Sequence, residues 1–268
     1  MIRELKLLLG LGLLLTQTNA YGQFENKLDP QYKLIAHRGG VVDDKTPENS
    51  IDALKKAVKV GYWMVEVDMR LTKDSIFITQ HDNTFKRYFG VDRKVSDMKW
   101  HEIEKLRTQT GSKVLNLESV LKFCSKNNLN VMIDNKVRGN DTVLFTKAVK
   151  MLDKYNLRKN ALMIGTEEST EFFTGKVRLS CDKKQLENNI KRKDYKTSDY
   201  YLFANPTKED MDWAKEHNIM VVGVINSFNM PNEKLLADGK GKADYLKNLG
   251  IKYVQIDSMF DIFFRKKN

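Results

Sequence analysis

Cysteine and proline are scarce, with two and four residues respectively in a chain of 268. Cys124 and Cys181 are too few to make a cysteine zinc site, and they permit one disulfide without requiring it. Cys124 falls in the periodic stretch Leu117-Val120-Leu121-Phe123-Cys124, which predicts a buried free thiol. Hydrophobic residues make up 41% of the chain and charged residues 30%, so the low-hydrophobicity signature of disorder is missing. Long apolar runs are missing too. Leu7 to Leu15 is short of the roughly 20 residues that a membrane-spanning helix needs, and nothing comparable follows it. No internal repeat or low-complexity linker divides the sequence. A length near 250 residues suits one barrel or two smaller domains.

The N-terminus carries Arg3 and Lys6 ahead of that apolar run, then polar Thr16 to Asn19 and small Ala20. This order reads as a secretory signal peptide over residues 1–22, with cleavage after Ala20 or Gly22. A periplasmic or secreted product is expected, with one ordered domain over residues 23–268. The formal net charge of +11 raises the question of nucleic acid or anionic lipid. Its distribution argues against a dedicated groove, because lysines are scattered through nearly every amphipathic segment. The densest cluster, Lys183 to Lys196, is interrupted by Glu187 and Asp194. A solvated basic surface is expected, with no nucleic acid partner and at most weak contact with an anionic membrane surface.

Short β-rich runs alternate with helical patterns. Candidate strands are Lys33–His37, Trp63–Asp68, Ile76–Gln80, Asn130–Asp134, Ala161–Gly165, Val177–Cys181, Tyr200–Ala204, Ile219–Ile225 and Tyr253–Asp257. Several are continuously apolar, as parallel strands buried on both faces are. Nine candidates leave room for one short accessory strand. Helical spacing follows Pro47-Glu48-Asn49-Ser50 and recurs over Leu117–Asn127, Thr142–Tyr155, Lys208–His217 and Lys242–Leu249, with Gly250 as a stop. The alternation favours a (β/α)8 TIM barrel over a doubly wound sheet, with a small insertion, residues 83–116, after the third strand.

Ionisable residues gather at the ends of the apolar runs. His37 ends the first run, Glu66 and Asp68 the second and Asp134 the fourth, while His81 follows the third. Active sites of parallel barrels lie at the C-terminal ends of the strands, so these groups are expected to converge. Glu66 and Asp68 have the period-2 spacing that points side chains to one face. A buried pair of carboxylates repels unless it is protonated or binds a cation. Three carboxylates with room for water suit Mg²⁺ or Ca²⁺ better than zinc. Histidine moves a proton near neutral pH, and Arg or Lys holds a phosphate. Arg38 has a second expected role, capping a helix or pairing with Glu48. His101 and His217 lack a strand-end setting and are expected on the surface.

Leu34-Ile35-Ala36-His37-Arg38-Gly39-Gly40, Pro47-Glu48-Asn49-Ser50, Val65-Glu66-Val67-Asp68 and Gln80-His81-Asp82-Asn83-Thr84 resemble, in order and spacing, the glycerophosphodiester phosphodiesterase family. The resemblance runs from about Leu34 to Lys136 and, more weakly, to Asp257. It implies a TIM barrel, one divalent cation (Ca²⁺ or Mg²⁺), and hydrolysis of glycerophosphodiesters to glycerol 3-phosphate and an alcohol. It further implies that His37 and His81 are the acid–base pair, that Glu66 and Asp68 are metal ligands, and that Arg38 and Lys136 contact phosphate. Asp134 stands where the family typically has Glu, and is expected to ligate with a shorter reach. Gly223-Val224-Ile225-Asn226 stands where the family often reads Trp-Thr-x-Asn, losing an aromatic wall. The final Thr-Asp-x-Pro-like segment is Ile256-Asp257-Ser258-Met259.

Two other activities compete with this expectation. A phospholipase of the same barrel type would attack intact lipid, with Tyr88, Phe89 and Trp100 as candidates for an apolar apron. A binding protein that had lost catalysis would keep only phosphate or glycan recognition.

Overall fold

A computed structural model describes residues 27–228 and 230–266 of the protein. The proposed leader, residues 1–22, lies outside the described residues. Eight parallel strands close into a barrel: β1 (Lys33–Ala36), β2 (Met64–Leu71), β3 (Asn130–Asn135), β4 (Leu162–Ile164), β5 (Arg178–Cys181), β6 (Tyr200–Phe203), β7 (Met220–Ile225) and β8 (Tyr253–Ile256). Closure is direct, because β1 pairs in parallel with both β2 and β8. The expected (β/α)8 architecture is therefore the observed one.

Seven helices follow the first seven strands: α1 (Ile51–Val60), α2 (Leu117–Lys126), α3 (Thr142–Lys154), α4 (Thr170–Phe173), α5 (Lys183–Asn189), α6 (Lys208–Glu216) and α7 (Leu235–Asn248). The starts of five of them, α1, α2, α3, α5 and α6, are written in short polar side chains. Ser50 accepts from the Ala53 amide, Asn116 from Ser119 and Asp141 from Leu144, each satisfying a donor that the first helical turn leaves free. The last helix begins seven residues before the expected Lys242. Gly239 and Gly241 mask its helical character in the sequence, and packing overrides that propensity. A Cβ at Gly239 would lie 2.4 Å from the Phe260 ring, so glycine is what lets the ring reach the helix.

The strands sort their side chains by parity. Outward residues such as Val65, Val67, Val131 and Ile133 join the large core under the helices. Inward residues Ile35, Met64, Met132, Leu162, Tyr201 and Val222 fill the barrel interior as a separate apolar layer. Burying each such side chain contributes about 1.5–3 kcal/mol. Two residues further along, the same inward face reaches the mouth. There the apolar plug gives way to ionisable groups after Ile35, Met64 and Met132, at His37, Glu66 and Asp134, while Ile164 and Phe203 continue the apolar layer on β4 and β6.

One expected barrel strand proves to be something else. Phe77–Thr79 pairs antiparallel with the far end of β2, Leu71 opposite Phe77, and then with Leu115–Asn116. It belongs to an excursion that leaves after β2 and returns at α2. The excursion has its own apolar cluster, built on Ile78, Phe85, Val95, Met98, Ile103 and Val114. Phe89 and Trp100 pack against that cluster, with Phe89 edge-on to Phe85 at 5.9 Å, so neither forms an apron. Both cysteines are buried free thiols, as expected of Cys124. His101 is exposed, as expected, whereas His217 is half-buried and stacked on Trp213 at 4.5 Å. No helix among the described residues is long and apolar enough to cross a membrane.

Candidate active site

Parity and register assemble the acidic cluster. Glu66 and Asp68 follow Met64 on the inward face of β2, and Asp134 follows Met132 on β3. Asp68 and Asp134 are register partners on adjacent parallel strands. One carboxylate oxygen of each of the three residues lies within 4.8 Å of the others. Glu66 is essentially without solvent exposure, and its Oε1 has no hydrogen-bond partner. Burial, and after it the charge of Asp68, raises its pKa to about 8. Asp134 is also raised, chiefly by burial, with Lys136 opposing. Lys136 caps the cluster, bonding Asp134 and lying 3.5 Å from Asp68. An orphaned carboxylate oxygen in an all-oxygen cluster is what a hard divalent cation requires, so the residues fit such an ion.

A strained turn borders the cluster. Arg38 is left-handed, at φ 53° and ψ 45°, a conformation that costs a non-glycine residue about 1–2 kcal/mol. The turn aims the Arg38 amide at Glu66 Oε2, 2.8 Å away. Gly39 and Gly40 make it possible. A Cβ at Gly40 would lie 2.2 Å from the Ala53 carbonyl oxygen, so the turn presses directly on α1. From the start of α1, Asn49 donates to Asp68 Oδ2 at 3.0 Å.

Each mouth histidine is held by a carboxylate at Nδ1. His37 Nδ1 is 2.6 Å from Asp257 Oδ1, and the other Asp257 oxygen accepts from the amide and hydroxyl of Ser227, both at 2.7 Å. His81 Nδ1 is 2.8 Å from Asp82 Oδ1. In both rings Nε2 is left toward the mouth, 3.9 Å from Glu66 for His37 and 3.3 Å from Arg38 Nη2 for His81. Burial alone would lower the His37 pKa, but the bond to Asp257 and the charge of Glu66 outweigh it, and the net shift is upward. Burial likewise opposes ionisation of Asp257, and His37 with Ser227 overcomes it, leaving that pKa depressed.

The structure thus brings His37, Arg38, Glu66, Asp68, His81, Asp134 and Lys136 to one end of the barrel. A second acidic group, Glu48 with His81 and Asp82, is less suited to an ion. Arg38 and Arg87 already neutralise Glu48, at 2.9 and 2.6 Å. Arg38 has both expected placements, pairing with Glu48 and lining a cavity of about 290 Å³ beside His37 and Asp257. Sequence reasoning missed four supporting residues. Asp257 and Asp82 carried a signal, one ending the last strand as His37 ends the first, the other directly following His81. Asn49 lay inside a quoted motif, and Arg87 carried no signal.

Residues 37–239 match the model of the glycerophosphoryl diester phosphodiesterase family. Lysophospholipase D GDPD1 of Homo sapiens is 30% identical over 136 residues, 46% of this chain and 42% of that protein. Glycerophosphodiester phosphodiesterase 1 of Mus musculus is 31% identical over 111 residues, covering 38% and 33%. The matched region is thus less than half the length of these curated relatives. A glycerophosphodiester phosphodiesterase from Agrobacterium tumefaciens superposes with a TM-score of 0.68 at 15% identity, covering 86% of this chain and 99% of that one. A phosphodiesterase from Oleispira antarctica, solved with sn-glycerol-3-phosphate, also has a TM-score of 0.68, at 18% identity and 88% and 95% coverage. At those identities the structures attest a shared fold. The family match spans three quarters of the sequence and begins at His37 itself, and on that ground the chain belongs to the glycerophosphoryl diester phosphodiesterase family.

Proposed function

We propose that the protein hydrolyses glycerophosphodiesters to glycerol 3-phosphate and an alcohol, with Glu66, Asp68 and Asp134 holding one divalent cation, Ca²⁺ or Mg²⁺. The observation that carries this reading is the pair of histidines, each oriented through Nδ1 by a carboxylate, at the same end of the barrel as a three-carboxylate cluster with an orphaned oxygen. The family match and the product-bound Oleispira antarctica structure support the reaction class.

When bound, the cation would supply Lewis-acid stabilisation of a phosphate oxygen. The chain's own residues do the rest. Arg38 and Lys136 bind the phosphate and offset its charge. One histidine takes a proton at Nε2 from the nucleophile, a water or the glycerol hydroxyl, and the other gives a proton to the alkoxide as its bond to phosphorus breaks; where the glycerol hydroxyl attacks, a water then opens the cyclic phosphate to glycerol 3-phosphate. Asp257 and Asp82 hold each ring with Nδ1 protonated, so that Nε2 is the reactive nitrogen. Glycerol 3-phosphate release from glycerophosphocholine and glycerophosphoethanolamine, with chelator and with Mg²⁺ or Ca²⁺ restored, tests the reading. Chelator-sensitive release that is lost in His37→Ala and Glu66→Ala is expected. Unchanged activity in both variants would overturn it, and tight binding without turnover under any cation would point to a binding protein.

A second reading, hydrolysis of intact lipids, has one observation in its favour. Phe228 and Met259, 75% and 42% exposed, stand with Tyr88 around the cavity beside His37. The human relative's name is that of a lysophospholipase D. Turnover of lipid vesicles but not of soluble diesters, reduced by Phe228→Ser, would select it. The leader supports export to the periplasm or medium, which N-terminal sequencing of the mature protein would check.

A further inference from the structure

Arg87 lies in the single helical turn Lys86–Phe89 of the excursion, outside every motif quoted for the site. Its guanidinium makes four hydrogen bonds to two carboxylates on different segments. Nε reaches Asp82 Oδ2 at 2.7 Å and Nη2 reaches Asp82 Oδ1 at 2.9 Å. Nη2 also reaches Glu48 Oε1 at 2.6 Å, and Nη1 reaches Glu48 Oε2 at 3.1 Å. Each carboxylate passes the restraint on. Asp82 holds His81 Nδ1, and Glu48 Oε2 holds Arg38 Nη1 at 2.9 Å. His81 Nε2 and Arg38 Nη2 then meet at 3.3 Å, closing a ring that runs Arg87, Asp82, His81, Arg38, Glu48 and back.

We propose that Arg87 is a positioning residue for turnover, a guanidinium contributed by the excursion that sets the ring of His81 through Asp82 and the head of Arg38 through Glu48. The physical need is specific. Glu48 is buried and acceptor-only, and Arg38 reaches only its Oε2, through Nη1, so that Oε1 takes its side-chain donor from Arg87. Asp82 bonded only to His81 would be free to rotate about its own side chain and carry the imidazole with it. A fork of five fixed donors spans both carboxylates at once, and an ammonium does not. The excursion is thereby part of the site as well as the holder of its own apolar cluster.

The inference rests on the diesterase reading, and the experiment separates the two. Glycerol 3-phosphate release is measured for the unaltered protein, Arg87→Ala, Arg87→Lys, Asp82→Asn and the Arg87→Ala/Asp82→Asn double variant. Arg93→Ala serves as a control, since Arg93 pairs with Glu102 in the same excursion at 2.9 Å. Expected is a fall in kcat of about tenfold to a hundredfold in Arg87→Ala, part of the roughly 10²–10⁴ that a positioned acid or base contributes. Free guanidinium, below denaturing concentrations, should restore part of it. Arg87→Lys should stay low, the double variant should be no worse than the poorer single, and Arg93→Ala should be unchanged. The nitrogen resonances of the His81 ring give a readout independent of turnover, with Nδ1 protonated in the unaltered protein and the two tautomers exchanging in Arg87→Ala. An active parent with Arg87→Ala within twofold of it, or a loss that guanidinium does not rescue and that adds to Asp82→Asn, overturns the proposal. An inactive parent overturns the diesterase reading instead, and an unchanged His81 ring in Arg87→Ala then rejects the positioning role as well.

Discussion

His37 and Asp257, 220 residues apart in the chain, meet at 2.6 Å because β1 and β8 are hydrogen-bonded neighbours where the barrel closes. His37 directly follows β1 and Asp257 directly follows β8. Ala36 and Ile256 are register partners, so the next residue on each strand reaches the mouth side by side.

Replacing Asp257 with Asn keeps the shape and removes the charge. His37 would lose its leading favourable partner, so the limb of the pH–rate profile that it governs should move to lower pH, with kcat down about tenfold to a hundredfold. Stability should respond on two sides. The raised His37 contributes below its ordinary value of 6.5 and loses that contribution as pH climbs through the raised value. The depressed Asp257 contributes above its ordinary 3.8 and loses it as pH falls through the lowered value. The pair therefore stabilises most between those two ordinary values. Melting temperature against pH should flatten on both sides in Asp257→Asn.

Glu66 behaves in the opposite sense. Its pKa stands at about 8 against an ordinary 4.5, so the folded state holds a proton that the unfolded state has released, and stability declines as pH rises between the two. In chelator at pH 8–9, Glu66→Gln should stabilise the protein by about 1–3 kcal/mol, the scale of an unsatisfied buried polar group. Added Mg²⁺ or Ca²⁺ should raise the melting temperature of the parent and leave Glu66→Gln nearly unmoved.

Lys136 is the cation that the cluster carries within its own chain. Lys136→Met should leave Asp134 and Asp68 without that partner and lower the melting temperature in chelator. The rise on adding a divalent cation should then exceed the parent's, because the ion no longer competes with an ammonium. A rise equal to or smaller than the parent's would reject the competition.

Gly40→Ala should be among the costlier small substitutions in this chain. The added methyl would meet the Ala53 carbonyl at 2.2 Å, from a backbone at φ 137°. A loss of about 1–3 kcal/mol or more is expected in urea unfolding, with weakened cation binding, since the same turn aims the Arg38 amide at Glu66.

Strand positions were legible because apolar runs and period-2 spacing are properties of neighbouring residues. The nine expected strands all exist, and the spacing of Glu66 and Asp68 predicts their shared face. Local pattern says nothing about direction, and so Phe77–Thr79 was indistinguishable from a barrel strand. It says nothing about distant partners either. The Asp257 carboxylate beside His37 and the grip of Arg87 on Glu48 depend on contacts across tens to hundreds of residues. By itself, the sequence determined which residues form the barrel strands, which faces they show and which groups stand at their ends, but not the short strands Thr84–Phe85, Val91–Lys94 and Leu115–Asn116 of the excursion. Only the tertiary structure decided which of those groups touch, because barrel closure and the return of the excursion bring together segments with no local interaction between them.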